Sequence, residues 1–418
     1  MDGANQLLAI LDATGRVRGT TPGNMAGVDF GMRLAGRPML EYWLDLVIDA
    51  GILDLVILAD EDAANQKILK DVIERRGVLS VYASMDEAER RRGKFHFILR
   101  IQANAVGDMK LTDFVHRHRE NDNELTRMLV PLALAPNRTR WFMARGVYSG
   151  PVSARETSAF PQAWSEAGIT LEKVRSTDGS SRESLPLESA GKTMGWVHRG
   201  RFLSLDGKEE TDRRDQLARS ILAERGWNNS GMRGAIYLDR DGTVIENPGY
   251  LSDPRGVKLF SDAAAAIQRW RARGYACVIV TNQSGIGRGM YTEQEMHEVN
   301  RELCRQLGAA GTALDGIYFC PVAPQVDDPD AIEHPDRKPG PGMLLKAARD
   351  LSLDVARSWM IGDSLRDALA GKNAGCKGNI LLGHGEVATL DAAKIPPGVA
   401  VTNDLKSACD LVLTQDFG

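Results

Sequence analysis

Acidic and hydroxyl residues follow three apolar runs in the second half of the chain. Asp239 and Asp241 come after GAIYL, Thr281 after ACVIV, and Asp363 after SWMIG. Carboxylates on two strands can hold a hard cation such as Mg²⁺ together with waters and a substrate phosphate. A two-residue spacing keeps Asp239 and Asp241 on one face of an extended chain, so one can attack while the other handles a proton. The Thr281 hydroxyl and the Lys338 ammonium suit the oxygens of a phosphoryl group, so the set predicts phosphoryl transfer.

The elements that must position these side chains alternate between strands and helices. The apolar runs GAIYL, ACVIV, DGIYF, SWMIG, NILL and VAVT are separated by helical patterns. Such alternation is typical of a parallel sheet covered by helices, in which ligands bind outside the carboxyl ends of the strands. We therefore expect a doubly wound, Rossmann-like α/β domain that brings the polar clusters to one crevice.

The length of the chain predicts two domains. It has 418 residues, more than one compact domain usually contains. Gly, Asn and Ser cluster between a helical pattern and GAIYL, which places the domains at 1–228 and 233–418 with a linker at 229–232. The first half also alternates strands with helices, so in both domains we expect a mainly parallel sheet with helices on both faces. The stretch 147–190 is rich in Ser, Gly and Pro and predicts loops or a small β insert.

The composition is that of an ordinary globular protein. Hydrophobic residues make up 43% and charged residues 26%, and the net charge is −4, which excludes a disordered chain and makes nucleic acid an unlikely partner. The apolar runs are too short to cross a bilayer, and the N-terminal segment lacks the basic start of a signal peptide, so we expect a cytoplasmic protein that does not bind membranes. The five cysteines are scattered, which favours reduced thiols.

The second half resembles the haloacid dehalogenase superfamily of phosphohydrolases, most closely its D-glycero-D-manno-heptose-1,7-bisphosphate phosphatase and histidinol-phosphatase branch. The resemblance lies in YLDRDGTVIENPGYL, VIVTNQSGIGRGMYT, IYFCPVAP, DRKPGPGML and MIGDSLRDALAGKNAG. It implies that Asp239 is the nucleophile and that Asp241 acts first as general acid and then as general base. It also implies Mg²⁺ bound by Asp239, Asp363 and the backbone carbonyl of Asp241. Thr281 and Lys338 would then bind the transferring phosphoryl group.

The same resemblance implies a substrate and the residues around it. Asn282, Ser284, Arg288 and Arg337 would contact the substrate, and Asp367 would be a supporting acid near the metal or the lysine. The segment after the first aspartate motif is short, so no large cap domain is expected and the site should be closed only by loops. The implied reaction is hydrolysis of a small sugar phosphate, a heptose bisphosphate or a relative, through an aspartyl-phosphate.

Many members of that branch have a zinc loop of the form CPHHP…CxCRKP, from which this chain departs. Cys320 remains, but Val322 replaces the first histidine, and His334 and Asp336 occupy the two later cysteine positions. Tetrahedral zinc sites need four good ligands. We therefore expect no structural zinc.

The first half resembles, more distantly, the sugar-1-phosphate nucleotidyltransferases. The resembling runs are LLAILDATGRVRG, MRLAGRPMLEYWLDLVIDAGI and NAVGDMKLTDFVHRHREN. Ala13 and Thr14 replace the paired glycines of the nucleotide loop, and residues 29–32 lack the usual lysine, whereas Arg18 is kept and Asp108 takes the place of the metal-binding aspartate. A backbone without those glycines cannot approach a triphosphate closely. We expect a degenerate domain that binds a sugar phosphate or nucleotide, or that forms a homo-oligomer.

Three other functions remain open on the sequence. A phosphatase fused to a nucleotidyltransferase could produce a sugar 1-phosphate and then activate it, so a bifunctional enzyme is the first. Polynucleotide 3′-phosphatases share similar TNQ-GI-RG and RKP patterns, although the net charge of −4 weighs against a nucleic-acid substrate. The third is a non-catalytic module that binds a sugar phosphate or a nucleotide. The complete set of aspartates at the strand ends argues against this third function.

Overall fold

The chain divides into two compact units, the first ending at Ile221 and the second beginning at Leu222. The computed structural model describes residues 7–12, 33–34, 37–58, 67, 80–82, 84–92, 95–102, 105–131, 140–144, 147–152, 164–173, 193–198, 200–204, 211–224, 226, 232–325, 331–385 and 387–417. The predicted linker at 229–232 lies outside these ranges apart from Met232, so the predicted domain bounds stay a prediction. Within these ranges, no helix combines the length and the apolar character that crossing a bilayer requires.

The described residues of the first half of the chain form strands and helices. In chain order its elements are β1 (Leu7–Asp12), β2 (Arg33–Leu34), β3 (Arg37–Pro38), α1 (Met39–Asp49), β4 (Asp54–Leu58), β5 (Ser80–Tyr82), α2 (Met85–Arg92), β6 (Phe97–Gln102), β7 (Ala105–Gly107), α3 (Leu111–Glu120), β8 (Leu125–Pro131), β9 (Arg140–Ala144), β10 (Val147–Val152), β11 (Trp164–Lys173), β12 (Thr193–Val197), β13 (Phe202–Ser204) and α4 (Thr211–Glu224).

The main sheet of the first unit has a parallel part and an antiparallel part. Strands β5, β4, β1 and β6 pair in parallel, and Leu8 and Ile10 of β1 are buried against Val56 and Tyr82. Beyond β6 the sheet continues with β11, which pairs antiparallel with β6, β8 and β9. The expected α/β class is therefore confirmed, and antiparallel strands extend its parallel part.

Strand β11 corrects one expectation from the sequence. The stretch 147–190 predicted loops or a small β insert. Trp164–Lys173 is β-structure, but it is a ten-residue strand in the middle of the main sheet rather than part of a small insert. Ala167, Ile169 and Leu171 alternate toward the core. The flanking Ser, Gly and Pro residues hide this short alternation, and the pairing partners that stabilise it are distant in sequence.

The described residues of the second unit mostly alternate between strands and helices. Its elements are β14 (Ala235–Leu238), α5 (Ala263–Ala272), β15 (Ala276–Asn282), α6 (Ser284–Gly287), α7 (Glu293–Ala309), β16 (Gly316–Cys320), α8 (Gly342–Leu351), β17 (Trp359–Gly362), α9 (Leu365–Ala374), β18 (Gly378–Leu382), β19 (Val399–Thr402) and α10 (Leu405–Phe417), with 3₁₀ turns at Pro254–Gly256, Val355–Arg357, Val387–Thr389 and Ala392–Lys394.

The six strands of the second unit form one parallel sheet in the order β16-β15-β14-β17-β18-β19. All five pairings are parallel. Alternate residues of β15 face opposite sides: Val278 and Val280 join the cluster that contains Leu344 of α8, whereas Cys277 contacts the backbone of α5 at Ile267. Helices therefore cover both faces, and the predicted Rossmann-like doubly wound fold is confirmed.

The order of the strands decides where a ligand can bind. The first strand of this unit, β14, lies between β15 and β17, and the chain moves outward in opposite directions from it. In such sheets a crevice opens at the carboxyl ends of the strands where the order reverses. The residues that end or directly follow β14, β15 and β17 are those whose types pointed to phosphoryl transfer.

Candidate active site

A cavity of about 570 Å³ lies at this edge of the second unit's sheet. Its lining includes most of the residues that the sequence singled out: Asp239, Asp241, Thr281, Asn282, Ser284, Arg337, Lys338, Asp363 and Asp367. Arg288 is not among the lining residues, so its contact with substrate stays a prediction. All lining residues belong to the second unit, which thus contains the whole cavity.

The Lys338 ammonium lies between two carboxylates. Its Nζ is 2.7 Å from Oδ1 of Asp239 and 2.6 Å from Oδ1 of Asp367, and its side chain is 3% exposed. Burial alone would lower the pKa of Lys338, but the two carboxylates outweigh that effect and raise the pKa above its ordinary value. The lysine is therefore a permanent positive charge at the carboxyl end of β14.

Asn282 holds the backbone of this lysine in place. Its Oδ1 accepts a hydrogen bond from the Lys338 backbone N at 3.0 Å, and its Nδ2 donates to the Lys338 carbonyl at 3.1 Å. Both ends of the amide are thus used within the protein. The geometry gives Asn282 a positioning role, and its predicted contact with substrate stays a prediction.

Asp367 lies in the first turn of helix α9 and also contacts the lysine. Its Oδ2 accepts from the backbone N of Ser364 at 3.0 Å as half of a capping box, while Oδ1 pairs with Lys338. A capping box satisfies amide groups that the first helical turn leaves without partners. The helix start therefore fixes the carboxylate that orients the lysine.

Three carboxylates collect beside the lysine. Oxygens of Asp239, Asp363 and Asp367 lie within 4.8 Å of one another. Burial raises the pKa of Asp239 to about 6, with Asp367 and Asp241 adding to the rise and Lys338 opposing it. Burial and then the charges of Asp239 and Asp367 raise the pKa of Asp363 to about 8. The cluster holds more negative charge than one ammonium neutralises.

This donor set suits a hard divalent cation. Carboxylate oxygens are the ligands that Mg²⁺ prefers, usually one or two of them together with water and phosphate. Asp239 and Asp363, the ligands implied by the resemblance, both belong to this group, whereas the oxygens of Asp367 contact Lys338 and the Ser364 backbone N. The Asp241 carboxylate is not in this group, and the predicted role of its backbone carbonyl stays a prediction.

Gly242 lets the chain after β14 turn close to Asp363. Its φ of +81° lies in the left-handed region, and its backbone N bonds to the Ile245 carbonyl at 2.8 Å. A Cβ at this position would overlap Oδ2 of Asp363. His384 contacts the Gly242 carbonyl through Nε2 at 2.7 Å, so this histidine, which the sequence did not single out, helps to hold the turn.

A second group that the sequence missed surrounds Asp241. Arg240 is 1% exposed and pairs with Oδ2 of Asp241 at 3.0 Å, and Gln283 and Tyr291 lie in the same buried network. One sequence feature could have revealed this group: an arginine lies between two aspartates at the end of a fully buried strand. A buried guanidinium requires polar partners.

The segment that corresponds to the zinc loop is held by ordinary hydrogen bonds. Nδ1 of His334 accepts from the Asp336 backbone N at 3.1 Å, and Arg337 donates to the Val322 carbonyl at 2.8 Å. Cys320 is buried, and burial raises the pKa of its thiol. The expectation that no structural zinc binds here stays a prediction.

In the first unit, Asp108 is engaged by two basic side chains. Its Oδ1 is 3.0 Å from Nε2 of His198, and its Oδ2 is 3.2 Å from Nε of Arg201. The departures from the nucleotide loop, Ala13 and Thr14, lie outside the described residues, as do Arg18 and residues 29–32. The predicted degeneration of this domain stays a prediction.

Comparisons with known proteins find one matching family, similar sequences and similar solved structures. The family model for haloacid dehalogenase-like hydrolases matches residues 207–375. D-glycero-beta-D-manno-heptose-1,7-bisphosphate 7-phosphatase of Pasteurella multocida is 39% identical over 163 residues, which are 39% of this chain and 89% of that protein. The crystal structure of D,D-heptose 1,7-bisphosphate phosphatase from B. bronchiseptica with magnesium and phosphate is 30% identical, covering 44% of this chain and 99% of that one, with a TM-score of 0.39. HddC from Yersinia pseudotuberculosis complexed with GMP-PN is 13% identical, covering 51% of this chain and 99% of that one, with a TM-score of 0.36.

Proposed function

Because this chain belongs to the haloacid dehalogenase-like hydrolases and is a phosphatase, we propose that its second unit hydrolyses a heptose bisphosphate or a closely related sugar phosphate through an aspartyl-phosphate on Asp239. The observation that carries the proposal is the buried contact of Lys338 with Asp239, in a cavity that Asp241 and Thr281 also line. This reaction needs a carboxylate that attacks phosphorus, a cation that binds the phosphoryl oxygens and a second carboxylate that transfers protons.

The reaction has two chemical steps. The Asp239 carboxylate attacks phosphorus in line, and the bond from phosphorus to the sugar oxygen breaks as Asp241 gives that oxygen a proton. Asp241 then takes a proton from water, whose oxygen attacks phosphorus and releases inorganic phosphate and free Asp239. Lys338 and the Thr281 hydroxyl stabilise the phosphoryl oxygens throughout.

The proposal includes a magnesium ion held by Asp239, Asp363 and, by way of its backbone carbonyl, Asp241. The excess of carboxylates over ammonium groups in this cluster supports it. When bound, the ion would neutralise charge on the phosphoryl oxygens and help to orient the substrate.

Mg²⁺ is expected to raise the midpoint of thermal unfolding, and to raise it more at pH 8 than at pH 5. The pKa of Asp363 is about 8 in the folded chain against an ordinary 3.8, so between these values the folded state binds more protons than the unfolded state. Without the cation, the free energy of unfolding therefore falls as the pH rises through this window. A cation bound to the ionised carboxylates offsets that loss.

Melting curves with and without Mg²⁺ at the two pH values measure this effect. In the Asp363→Asn variant we expect most of the stabilisation by Mg²⁺ to disappear. A wild-type midpoint that Mg²⁺ leaves unchanged at both pH values would contradict the metal assignment.

A cluster of arginines supports a substrate with a second phosphate. Arg337 and Arg366 both line the cavity. Burial lowers the pKa of Arg337, and the positive charges of Arg366 and Arg288 lower it further. Cations that destabilise one another in this way favour an additional anion beside them.

Replacing Arg337 by methionine is expected to lower kcat/KM for a sugar bisphosphate by about 10- to 100-fold, the value of one charge-assisted hydrogen bond. Turnover of the corresponding monophosphate should change little, because the reacting phosphoryl group lies with Lys338. The exposed Arg305→Met variant on α7 is the matched control. Equal losses on both substrates would show that Arg337 does not bind the second phosphate.

A phosphate-release assay on the full chain tests the proposal as a whole. Sugar bisphosphates, sugar monophosphates and a 3′-phosphorylated oligonucleotide are compared at equal concentrations. We expect the sugar bisphosphate to have the highest kcat/KM. A higher kcat/KM for the oligonucleotide would show that the substrate is a nucleic acid rather than a sugar phosphate. Inactivity on all three kinds of substrate would show that the unit only binds its ligand.

A further inference from the structure

Gln283 is a buried glutamine whose side chain makes four hydrogen bonds. It is 2% exposed and follows the last residue of β15. Its Nε2 donates to Oδ2 of Asp241 at 2.9 Å and to Oγ1 of Thr281 at 2.8 Å. Its Oε1 accepts from Nη2 of Arg240 at 2.9 Å and from the Tyr291 hydroxyl at 2.6 Å. These four bonds use the full capacity of a side-chain amide.

The partners allow only one orientation of this amide. Arg240 can only donate, so it must face the oxygen Oε1. Burial raises the pKa of Tyr291 above its ordinary value, so this hydroxyl also keeps the proton that it donates. The reversed amide would place its NH₂ against the guanidinium and its oxygen against the Asp241 carboxylate, which is repulsive on both sides.

Arg240 and Tyr291, which line the cavity, are themselves held by further contacts. Nη1 of Arg240 donates to Oδ1 of Asn300 on α7 at 2.8 Å, and Asn300 is buried. The Tyr291 ring packs so closely on Gly285 that a Cβ there would overlap it. The amide is therefore held by groups fixed in the fold.

The orientation of Gln283 determines where two protons can be. Because Oγ1 of Thr281 accepts from Gln283, its own hydroxyl hydrogen is available to an acceptor in the cavity that Thr281 lines. Oδ2 of Asp241 accepts from Gln283 and from Nε of Arg240, whereas Oδ1 accepts from Nη2 of Arg240 at 3.2 Å. The less engaged oxygen, Oδ1, is the one left to exchange a proton.

We propose that Gln283 is a positioning residue that turns Oδ1 of Asp241 toward the leaving group and the Thr281 hydroxyl toward the phosphoryl oxygens. The inference rests on the proposed phosphatase activity. It predicts a defect that depends on the leaving group. A sugar alcohol must be protonated as it departs, whereas 4-nitrophenolate departs without a proton.

The Gln283→Met variant keeps the length of the side chain and removes its hydrogen bonds. We expect its kcat/KM to fall about 100-fold on a sugar phosphate and no more than about 10-fold on 4-nitrophenyl phosphate, since general acid catalysis contributes only where the leaving group needs a proton. Asp241→Asn should show the same selective loss. Adding Gln283→Met to Asp241→Asn should lower kcat/KM on the sugar phosphate only slightly further. The exposed Gln294→Met variant on α7 is the matched control.

The outcomes separate this inference from the proposed function. If the wild-type protein hydrolyses both esters and Gln283→Met lowers kcat/KM equally for both, the positioning role is wrong and the phosphatase assignment is retained. If the wild-type protein hydrolyses neither ester, both the positioning role and the proposed phosphatase activity are wrong. Should Gln283→Met fail to fold by circular dichroism, Gln283→Glu replaces it: this variant keeps an acceptor for Arg240 and Tyr291 and loses the donor to Asp241, and it must show the same selective loss.

Discussion

Replacing Asp239 by asparagine is expected to lower the rate of phosphate release by about 10⁴-fold or more, as removal of a covalent nucleophile does in other enzymes. The amide has nearly the shape of the carboxylate but cannot attack phosphorus. Lys338 keeps Asp367 as an ion-pair partner at 2.6 Å, so the fold should be retained. Phosphate release from a sugar phosphate, together with a melting curve of the variant, checks both parts.

The exposed Asp410 on α10, paired with Arg269 at 2.7 Å, provides the matched control. Asp410→Asn should keep wild-type turnover, since this aspartate does not line the cavity. Near-normal turnover by Asp239→Asn would refute the nucleophile assignment and the aspartyl-phosphate with it. A variant that is inactive because it is unfolded would be recognised by its melting curve.

Replacing Lys338 by methionine is expected to lower kcat by about 100- to 1000-fold, because one preorganised donor to the transition-state oxygens is lost. The same change leaves Asp239 and Asp367 without the ammonium that lies between them. Breaking a buried ion pair by removing one partner destabilises a protein by about 3–5 kcal/mol. Steady-state kinetics well below the unfolding temperature and a denaturant titration measure the two losses.

A double variant separates the two consequences. Adding Asp367→Asn to Lys338→Met removes one of the carboxylates left unpaired and should restore part of the stability without restoring activity. The exposed Lys346→Met variant on α8 controls for the loss of a positive charge. If activity returned together with stability in the double variant, the role of Lys338 would be structural rather than catalytic.

The sequence was sufficient for the fold of the second unit, and most of the residues that it singled out line one cavity. Each of the six strands lies where a short apolar run occurs, and Asp239, Thr281 and Asp363 follow or end strands that meet at one edge of the sheet. This was possible because burial and periodicity are local properties of the chain. The side of the sheet at which these residues meet follows from the parallel connections alone.

The same reasoning was less successful in the first half. Strand β11 lies in the middle of the main sheet and pairs with strands more than 30 residues away from it. Its local pattern, interrupted by Ser, Glu and Gly, resembles that of a loop. Pairing with distant strands outweighed this weak local preference, as is common for β-structure.

What the sequence by itself determined is which residue types stand at the strand ends, and those types predicted phosphoryl transfer. Only the tertiary structure decided which atoms meet: that Asp367 caps a helix and also pairs with Lys338, and that Gln283 joins Asp241 to Thr281. A residue's type and the strand that it follows are properties of neighbouring residues. Many partners of buried polar side chains depend instead on how segments distant in sequence pack together, as Asp241 and Gln283 do across 42 residues of sequence.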